Sequence, residues 1–409
     1  MADMANWSRH TGRWTLEDRF ASPWHYLPVE VPTGTAGLRV ELDYERASGT
    51  VLDLGCLGPH GFRGWSGSAR ESFVIADDAA TPGYLPGEVE AGTWQVMIGV
   101  HRLPPDGVGY RLTAETTPRG TGLPPPSAPA APPAPERPPR RDLPARPGRR
   151  GLAGDLHSHT VHTDGVLTVA ELAALAAGRG LDFLAVTDHN TISHHAELPA
   201  AARRYGITLL PGQEVTTDGG HAGALGDVGW IDFRREPDEW LDATEAAGGL
   251  LSVNHPFAGP VSWTLPMRRR PPLLEVWHWS WLDLRWTIPM SWWLAWDAAA
   301  IPVGGSDWHQ PGSDALPGHP TTWVECAGEA PGDVLDGLRS GHVAISAERD
   351  GPVLFRHEGE LLAVAADGLT LAGPQGPCAR VRGDRASLGG RPGPHRLLDA
   401  TGATLALTP

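Results

Sequence analysis

His157 and His159 stand two residues apart, and behind them come Asp164, Asp188-His189, Glu214, His255 and a second spaced pair, Asp307 and His309. Imidazole and carboxylate groups brought to one point are suited to binding metal ions. Without thiolates, such a set fits zinc, manganese or iron rather than one of them in particular. Residues two apart on an extended segment point to the same face, so each spaced pair presents two donors together. A lone His-x-His is a weak signal, and a single histidine after a strand is ordinarily a loop residue. Five such segments in one chain are a different matter. Eight or nine donors are too many for one tetrahedral ion, and two or three ions sharing bridging groups is the natural solution. Glu214, in the middle of the order, is the bridging candidate.

These segments need elements that bring them together. Short apolar runs precede most of them: Phe183 to Val186, Ile207 to Leu210, Leu251 to Val253 and Ile301 to Val303. Further strands are read at Leu273 to Trp277 and His342 to Ile345. Helices are read at Leu172 to Ala177, opened by the capping box Thr168-x-x-Glu171, and at Leu198 to Tyr205, Glu239 to Ala247, Trp292 to Ala300 and Asp333 to Ser340. Strand–helix alternation predicts a mostly parallel sheet or barrel. In a β/α barrel the carboxyl ends of the strands form one rim, where ligands from distant segments meet.

The rest of the chain divides around a stretch rich in proline and arginine. Residues 118–150 hold twelve prolines and seven arginines, and read as a semi-rigid extended linker. Residues 1–117 carry short alternating runs at Leu38–Leu42, Val51–Leu54, Ser72–Ile75, Trp94–Val100 and Tyr110–Thr113, the pattern of a small all-β sandwich. No catalytic cluster is visible there. Residues 151–346 hold the metal-ligand segments, and residues 347–409 read as a short β appendage.

Bulk properties narrow the function. The formal charge is −15, with the linker positive and the remainder near −20, which argues against a nucleic-acid polymer as partner. No apolar run approaches the roughly 20 residues that span a bilayer. The amino-terminal residues do not read as a signal peptide. The expectation is a cytoplasmic protein acting on a small molecule, with no membrane association. Cys56, Cys326 and Cys378 are too scattered for a disulfide framework or a thiolate zinc site.

Taken together, His157-x-His159-Thr160, Asp164-Gly165, Thr187-Asp188-His189, Pro211-Gly-x-Glu214, Asn254-His255-Pro256 and Gly305-Ser306-Asp307-x-His309 resemble the PHP (polymerase and histidinol phosphatase) superfamily. The nearest branch looks like the CehA/McbA-type metallohydrolases. The resemblance covers roughly residues 152–348 and is silent on residues 1–117. It implies a distorted (β/α)7 barrel carrying two or three divalent ions (manganese, zinc or iron). The implied ligands are His157, His159, Asp164, His189, Glu214, His255, Asp307 and His309, with His221 as a further one. Two details depart from the family pattern: Thr163 stands where a serine is usual, and His162 is an extra imidazole. Asp188 is read as orienting His189 or a neighbouring ligand.

The implied activity is hydrolysis by a hydroxide held between ions that Glu214 and Asp307 bridge. A phosphoric ester of a small molecule suits it best, because clustered positive charge complements a phosphoryl group. His255, with His194 or His195, is read as contacting substrate or protonating the leaving group. Seven tryptophans lie between residues 277 and 296. Trp277 and Trp279, with Arg285 nearby, are the candidate substrate contacts, since an aromatic wall suits a flat or apolar group. Two alternatives stand beside this reading: a carboxylic or carbamate ester hydrolase, and a catalytically silent metal-containing binding module.

Overall fold

The protein is described here by a computed structural model covering residues 7–46, 49–118, 129–312 and 315–409. The Pro124-Pro125-Pro126 run lies outside the described residues. The chain forms two compact units. One comprises residues 1–130 with the segments Val161–Asp164 and His189–His194. The other comprises residues 131–160, 165–188 and 195–409.

In the first unit two four-stranded antiparallel sheets share one core. One sheet runs β1 (Trp7–Trp14), β8 (Val108–Pro118), β3 (Thr35–Tyr44), β6 (Ser72–Ala76). The other runs β2 (Trp24–Val31), β7 (Gly92–Arg102), β4 (Val51–Gly58), β5 (Gly61–Gly67). Alternation drives the packing. In β3, Val40 and Leu42 are buried while Arg39, Glu41 and Asp43 are exposed, and β2 does the same with Leu27, Val29 and Val31. These residues join Leu52, Leu54, Val96, Ile98 and Val100 from the facing sheet. A six-residue helix, α1 (Leu16–Ala21), opens with a capping box between Thr15 and Asp18.

The second unit is α/β. Its strands are β9 (Arg150–Asp155), β10 (Phe183–Val186), β11 (Thr208–Thr217), β12 (Gly220–Leu225), β13 (Leu250–Asn254), β14 (Leu273–His278), β15 (Ile301–Gly305), β16 (Thr321–Cys326) and β17 (Val343–Ser346). Its helices are α2 (Val169–Gly178), α3 (Leu198–Tyr205), α4 (Pro237–Ala246), α5 (Ile288–Asp297) and α6 (Pro331–Arg339). The capping box between Thr168 and Glu171 starts α2, and the left-handed Gly206 ends α3. Helix α5 begins four residues earlier than the sequence reading placed it, with Pro289 in its first turn.

Strands β9, β10 and β11 are parallel, β12 is reversed, and β13, β14 and β15 return to the first direction. Six co-directional strands therefore end on one rim. The sheet is not closed into the barrel that the resemblance implied. Its order starts at β15 and passes through β9 to β16 and β17, with no ladder joining β15 to β9 or β16. The two margins instead meet through an isolated bridge between Ser158 and Trp308. The Thr322 hydroxyl also donates to Gly304 O and accepts its N–H, at 2.9 and 2.8 Å.

Beyond β17 come β18 (Val353–His357), β19 (Glu360–Val364), β20 (Thr370–Gly373), β21 (Gly376–Arg380), β22 (Arg385–Ser387), β23 (His395–Leu398) and β24 (Thr404–Thr408). Strand β24 pairs with β17, so β24, β23, β20 and β21 extend the main sheet.

Residues 131–149 hold no helix or strand, yet they are anchored on the second unit. Arg137 donates to the carbonyls of Gly206 and Leu181. Arg140 pairs with Asp182 and Glu329 at 2.9 and 2.6 Å, Arg146 pairs with Glu325, and Tyr205 Oη donates to Pro132 O at 2.9 Å. Proline lacks an N–H donor, so arginine side chains and proline carbonyls make most of these contacts, joined by the Arg146 N–H, which donates to Glu325 Oε1 at 2.8 Å. No helix among the described residues is long and apolar enough to cross a membrane.

Candidate metal centre

The geometry starts at Asp155, the fully buried last residue of β9. Its carboxylate accepts the N–H groups of His157 (3.1 Å), Ser306 (3.0 Å) and Gly318 (2.8 Å), tying the end of β9 to the turn after β15. Burial pushes this carboxyl above the usual range, and the hydrogen bonds oppose the shift. The two spaced pairs then clamp each other through backbone: Asp307 N–H donates to His157 O and His159 N–H to Trp308 O, both at 3.0 Å. Between the two histidines, Ser158 turns the other way and donates to Ala185 O at 2.6 Å. Asp188 accepts from the backbone and hydroxyl of Thr160, at 2.9 and 2.7 Å, so it orients the residue next to His159.

Glu214 lies inside β11, three residues short of its end, not beyond a strand as the sequence suggested. The reason is β12: the reversed strand keeps β11 extended, pairing Glu214 with Gly223. Because β12 runs backwards, its first residues reach the rim, and this places His221, paired with Asn254, beside the carboxyl ends of its neighbours.

Four imidazoles surround the Glu214 carboxylate. Oε1 is 3.0 Å from His157 Nε2, 3.1 Å from His255 Nε2 and 3.3 Å from His221 Nδ1, and Oε2 is 3.6 Å from His159 Nε2. Asn254 Nδ2 donates to Oε1 at 3.0 Å. Asp307 faces the same pair: Oδ1 is 2.9 Å from His159 Nε2, 3.2 Å from His157 Nε2 and 3.7 Å from His309 Nδ1. The rings of His159 and His309 stack at 4.2 Å. His157, His159 and Glu214 are buried.

Two residues here were missed by the sequence reading of ligands. Glu275, in β14, sets Oε1 3.1 Å from His157 Nδ1 and accepts the His255 N–H on Oε2 at 2.7 Å. His278, the last residue of β14, sets Nε2 3.2 Å from Asp307 Oδ2 and Nδ1 2.7 Å from Ser280 Oγ. Glu275 sits in an apolar run and His278 in a row of tryptophans, so both look like packing residues. The available signal was their position at the end of a strand on the ligand rim.

Electrostatics and backbone agree on the character of the place. Burial alone would lower the pKa of His157, but Glu214, Asp307 and Glu275 raise it well above the ordinary imidazole value. His255 is raised too, with burial opposed by its contact to Glu214. Asp307 is held far below the usual carboxylate range, because His157 and the other imidazoles outweigh its burial. The pocket thus favours positive charge. His255 and Asp307 adopt left-handed φ values of 27° and 50°, sparsely populated for residues other than glycine.

A divalent cluster fits this donor set. One donor atom from each of His157, His159, Glu214 and Asp307 lies within 4.8 Å of the others, and the same holds for His157, His255 and Glu275. His255 Nδ1 is buried without a hydrogen bond, while His157 Nε2 and Asp307 Oδ1 are buried against other members of the same set. Buried polar atoms are ordinarily paired, and metal coordination is one way to satisfy them.

Asp164 and His189 fall in the first unit, with Asp164 Oδ1 3.5 Å from His189 Nε2. His194 is in that unit as well, fully buried and edge-on to His162 at 5.8 Å. Of the proposed substrate contacts, Trp277 is buried against Trp281. Trp279 is 48% exposed and lies beside His278, ring to ring at 5.3 Å. Arg285 is exposed and paired with Asp283 at 2.6 Å. The tryptophans do not alternate on one face, because the chain turns where β14 ends and Trp281 N–H donates to His278 O.

Several known proteins are similar to parts of this chain. A solved two-domain protein from Bacteroides vulgatus, described as containing a predicted PHP-like metal-dependent phosphoesterase, superposes with a TM-score of 0.44 at 17% identity, over 67% of this chain and 99% of its own. A 3',5'-nucleoside bisphosphate phosphatase from Chromobacterium violaceum is 46% identical over 66 residues, and a 5'-3' exoribonuclease from Haemophilus influenzae is 42% identical over 64. Each of these two alignments spans 16% of this chain and 23% of the relative, well under two thirds of the relative's length. Residues 155–254, the segment that runs from Asp155 through His157, His159 and Glu214 to Asn254, match the PHP domain.

Proposed function

We propose that this chain is a metal-dependent hydrolase that cleaves phosphoric esters of small molecules, with two or three divalent ions of the manganese, zinc or iron type. The observation that carries the proposal is Glu214, a buried carboxylate approached by four imidazoles, beside Asp307, which shares two of them. The short stretches of similarity to a nucleoside bisphosphate phosphatase and an exoribonuclease support phosphoric over other esters. When bound, divalent ions supply an acidified water near neutral pH and offset the charge that develops on a phosphoryl oxygen.

The chain's own residues have distinct parts. His157, His159, His221 and His309 would hold ions, as would Asp164 and His189 in their own unit. Glu214 and Asp307 would be the carboxylates shared between ions, and Asn254 fixes the rotamer of Glu214 through its amide. Glu275 holds the ring of His157 and the backbone of His255 at once. His255 is assigned the leaving-group proton: Glu214 holds its Nε2, and its Nδ1 makes no hydrogen bond. His194, buried against His162, is given no part.

One observation favours a second reading. Trp279 leaves half its indole exposed next to His278, which touches Asp307. An aromatic surface so close to the site suits the apolar arm of a carboxylic or carbamate ester, as in CehA/McbA-type enzymes.

Metal analysis of the purified full chain is expected to find more than one transition ion per molecule, and one or none removes the cluster. A panel of p-nitrophenyl phosphate, bis-p-nitrophenyl phosphate, nucleotides and p-nitrophenyl acetate then ranks the reactions. Faster acetate than phosphate cleavage installs the second reading. Glu214→Gln is expected to abolish turnover on any of them with the fold intact.

A further inference from the structure

The segment that matches the PHP domain does not stay within one unit. Two of its loops, Val161–Asp164 and His189–His194, pack with the N-terminal β sheets. They carry Asp164 and His189, and His189 N–H donates to Thr163 Oγ1 at 3.4 Å. Two points of the β unit grip these loops. Arg70, in the turn before β6, donates to Thr163 O at 3.3 Å and also to Val161 O. Gly83 is engaged on both sides of its residue. Its N–H donates to Ser193 Oγ at 3.1 Å, and its carbonyl accepts from Thr191 Oγ1 at 2.8 Å and from Trp65 N–H at 2.9 Å. Ser193 Oγ also lies 2.7 Å from His162 Nδ1, linking one loop to the other.

The approach is close enough to demand glycine. Gly83 has φ +101°, and a Cβ there would stand 2.7 Å from Trp65 O and 2.8 Å from His162 O, backbone on both sides. Thr191, Ser193, His162 and Thr163 are all buried. A pendant module joined through a linker does not need such contacts. An element that fixes two loops does, because loops left to themselves sample many conformations and a metal site tolerates little displacement.

We propose that the N-terminal β unit is a positioning element for the Asp164–His189 pair, acting through Arg70 and the Gly83 peptide. This rests on the reading above in which Asp164 and His189 hold an ion. Arg70 fixes the carbonyls on either side of His162, one and three residues before Asp164, and its planar fork holds two acceptors in one geometry, which the flexible ammonium of lysine does less well.

The test uses the full-length chain with Arg70→Ala, Arg70→Lys and Ser193→Ala. Hydrogen exchange on metal-free protein reads the grip directly. Arg70→Ala is expected to raise exchange at least tenfold in residues 161–164 and 189–194 and to leave β9 to β15 unchanged, with Arg70→Lys between the two. Titration with Mn²⁺ alone reads the consequence: the variant should lose one equivalent, or weaken it at least tenfold, while the others keep their affinity. A general loss of fold would move every segment and every equivalent together, and Ser193→Ala repeats the test with a smaller excision. Unchanged loop exchange in Arg70→Ala and Ser193→Ala, or full and equal Mn²⁺ binding in both, overturns the proposal. Wild-type protein that binds no Mn²⁺ overturns the ligand role of the pair, whereas altered loop exchange with unaltered Mn²⁺ binding overturns only the positioning.

Discussion

Glu275 Oε1 lies 3.1 Å from His157 Nδ1, and the other oxygen of the same carboxylate accepts the backbone N–H of His255 at 2.7 Å. One side chain from β14 thereby sets the ring of a residue after β9 and the left-handed backbone of a residue after β13. A carboxylate on the far nitrogen of a ligand histidine fixes its tautomer and raises its basicity, and losing such a partner costs roughly 10–100-fold in metal affinity. Glu275→Gln keeps the shape and removes the charge. Its metal affinity should fall by about that factor while the melting temperature of the metal-free protein changes little. Titration with Zn²⁺ or Mn²⁺ checks this, and an affinity equal to wild type would show that the carboxylate is not supporting His157.

Gly305 makes the same cluster possible from the other side. A Cβ at this position would stand 2.2 Å from Glu275 Oε1 and 2.5 Å from His157 Cβ. Both neighbours are buried and held by other contacts, so neither yields easily. Gly305→Ala should cost about 1–3 kcal/mol of stability, in the range of overpacked cores. Chemical denaturation gives the figure. Since the displaced groups are Glu275 and His157, metal affinity should drop in parallel; a destabilised variant with full affinity would separate packing from the site.

Much of this was legible in the sequence, for reasons that differ by residue. His157, His159, Asp307 and His309 announce themselves because period-two spacing after an apolar run is a backbone property, visible without the fold. The helix opened by Thr168 and Glu171 was equally plain, since its capping residues are local. What stayed hidden depends on neighbours distant in sequence. Strand β12 has no strong alternation, as all six of its residues are buried, and without it Glu214 was placed past a strand end. Glu275 and His278 are polar residues whose partners in the site, His157, His255 and Asp307, lie between 20 and 118 positions away. The docking of the proline-rich segment was invisible for a related reason, because Arg137, Arg140 and Arg146 find carbonyls and carboxylates brought near only by folding.

His319 offers a pH prediction away from the candidate metal ligands. Arg179 Nη2 lies 2.7 Å from its Nε2, while Arg179 Nε donates to Pro317 O at 2.7 Å, in the loop that also sends Gly318 N–H to Asp155. Burial first, and then Arg179, lower the pKa of His319 below 6.5, with Glu348 opposing. A folded pKa below the unfolded one means that the unfolded chain takes up the proton first. Stability is therefore full above the unfolded value of 6.5 and declines as pH falls from there through the folded pKa. His342 and His395 are shifted the same way by burial. Thermal unfolding between pH 7.5 and 5.5 should show this decline, and His319→Gln, whose amide oxygen still accepts from Arg179, should lose less over the same interval. Equal losses would mean that His319 is not a contributor.

Trp279 separates the two ester readings by kinetics. Its indole is half exposed, whereas Trp277 and Trp281 bury theirs, so it is the one of the three free to meet a ligand. It stands beside His278, whose Nε2 reaches Asp307 Oδ2 at 3.2 Å. Removing an aromatic stacking partner typically costs about 0.5–1.5 kcal/mol beyond the lost area, which corresponds to a roughly 2- to 12-fold change in binding. Trp279→Ala should therefore raise KM several-fold for esters with an aromatic or extended apolar arm, leave kcat near wild type, and scarcely affect a compact ester such as glycerol phosphate. Steady-state kinetics on a matched pair of phosphate and acetate esters bearing the same aryl group completes the test. A KM increase confined to aryl substrates assigns Trp279 to substrate recognition. An equal fall in kcat for compact and aryl esters would instead mean that the indole acts on the site through His278, and the aromatic surface would lose its part in choosing the substrate.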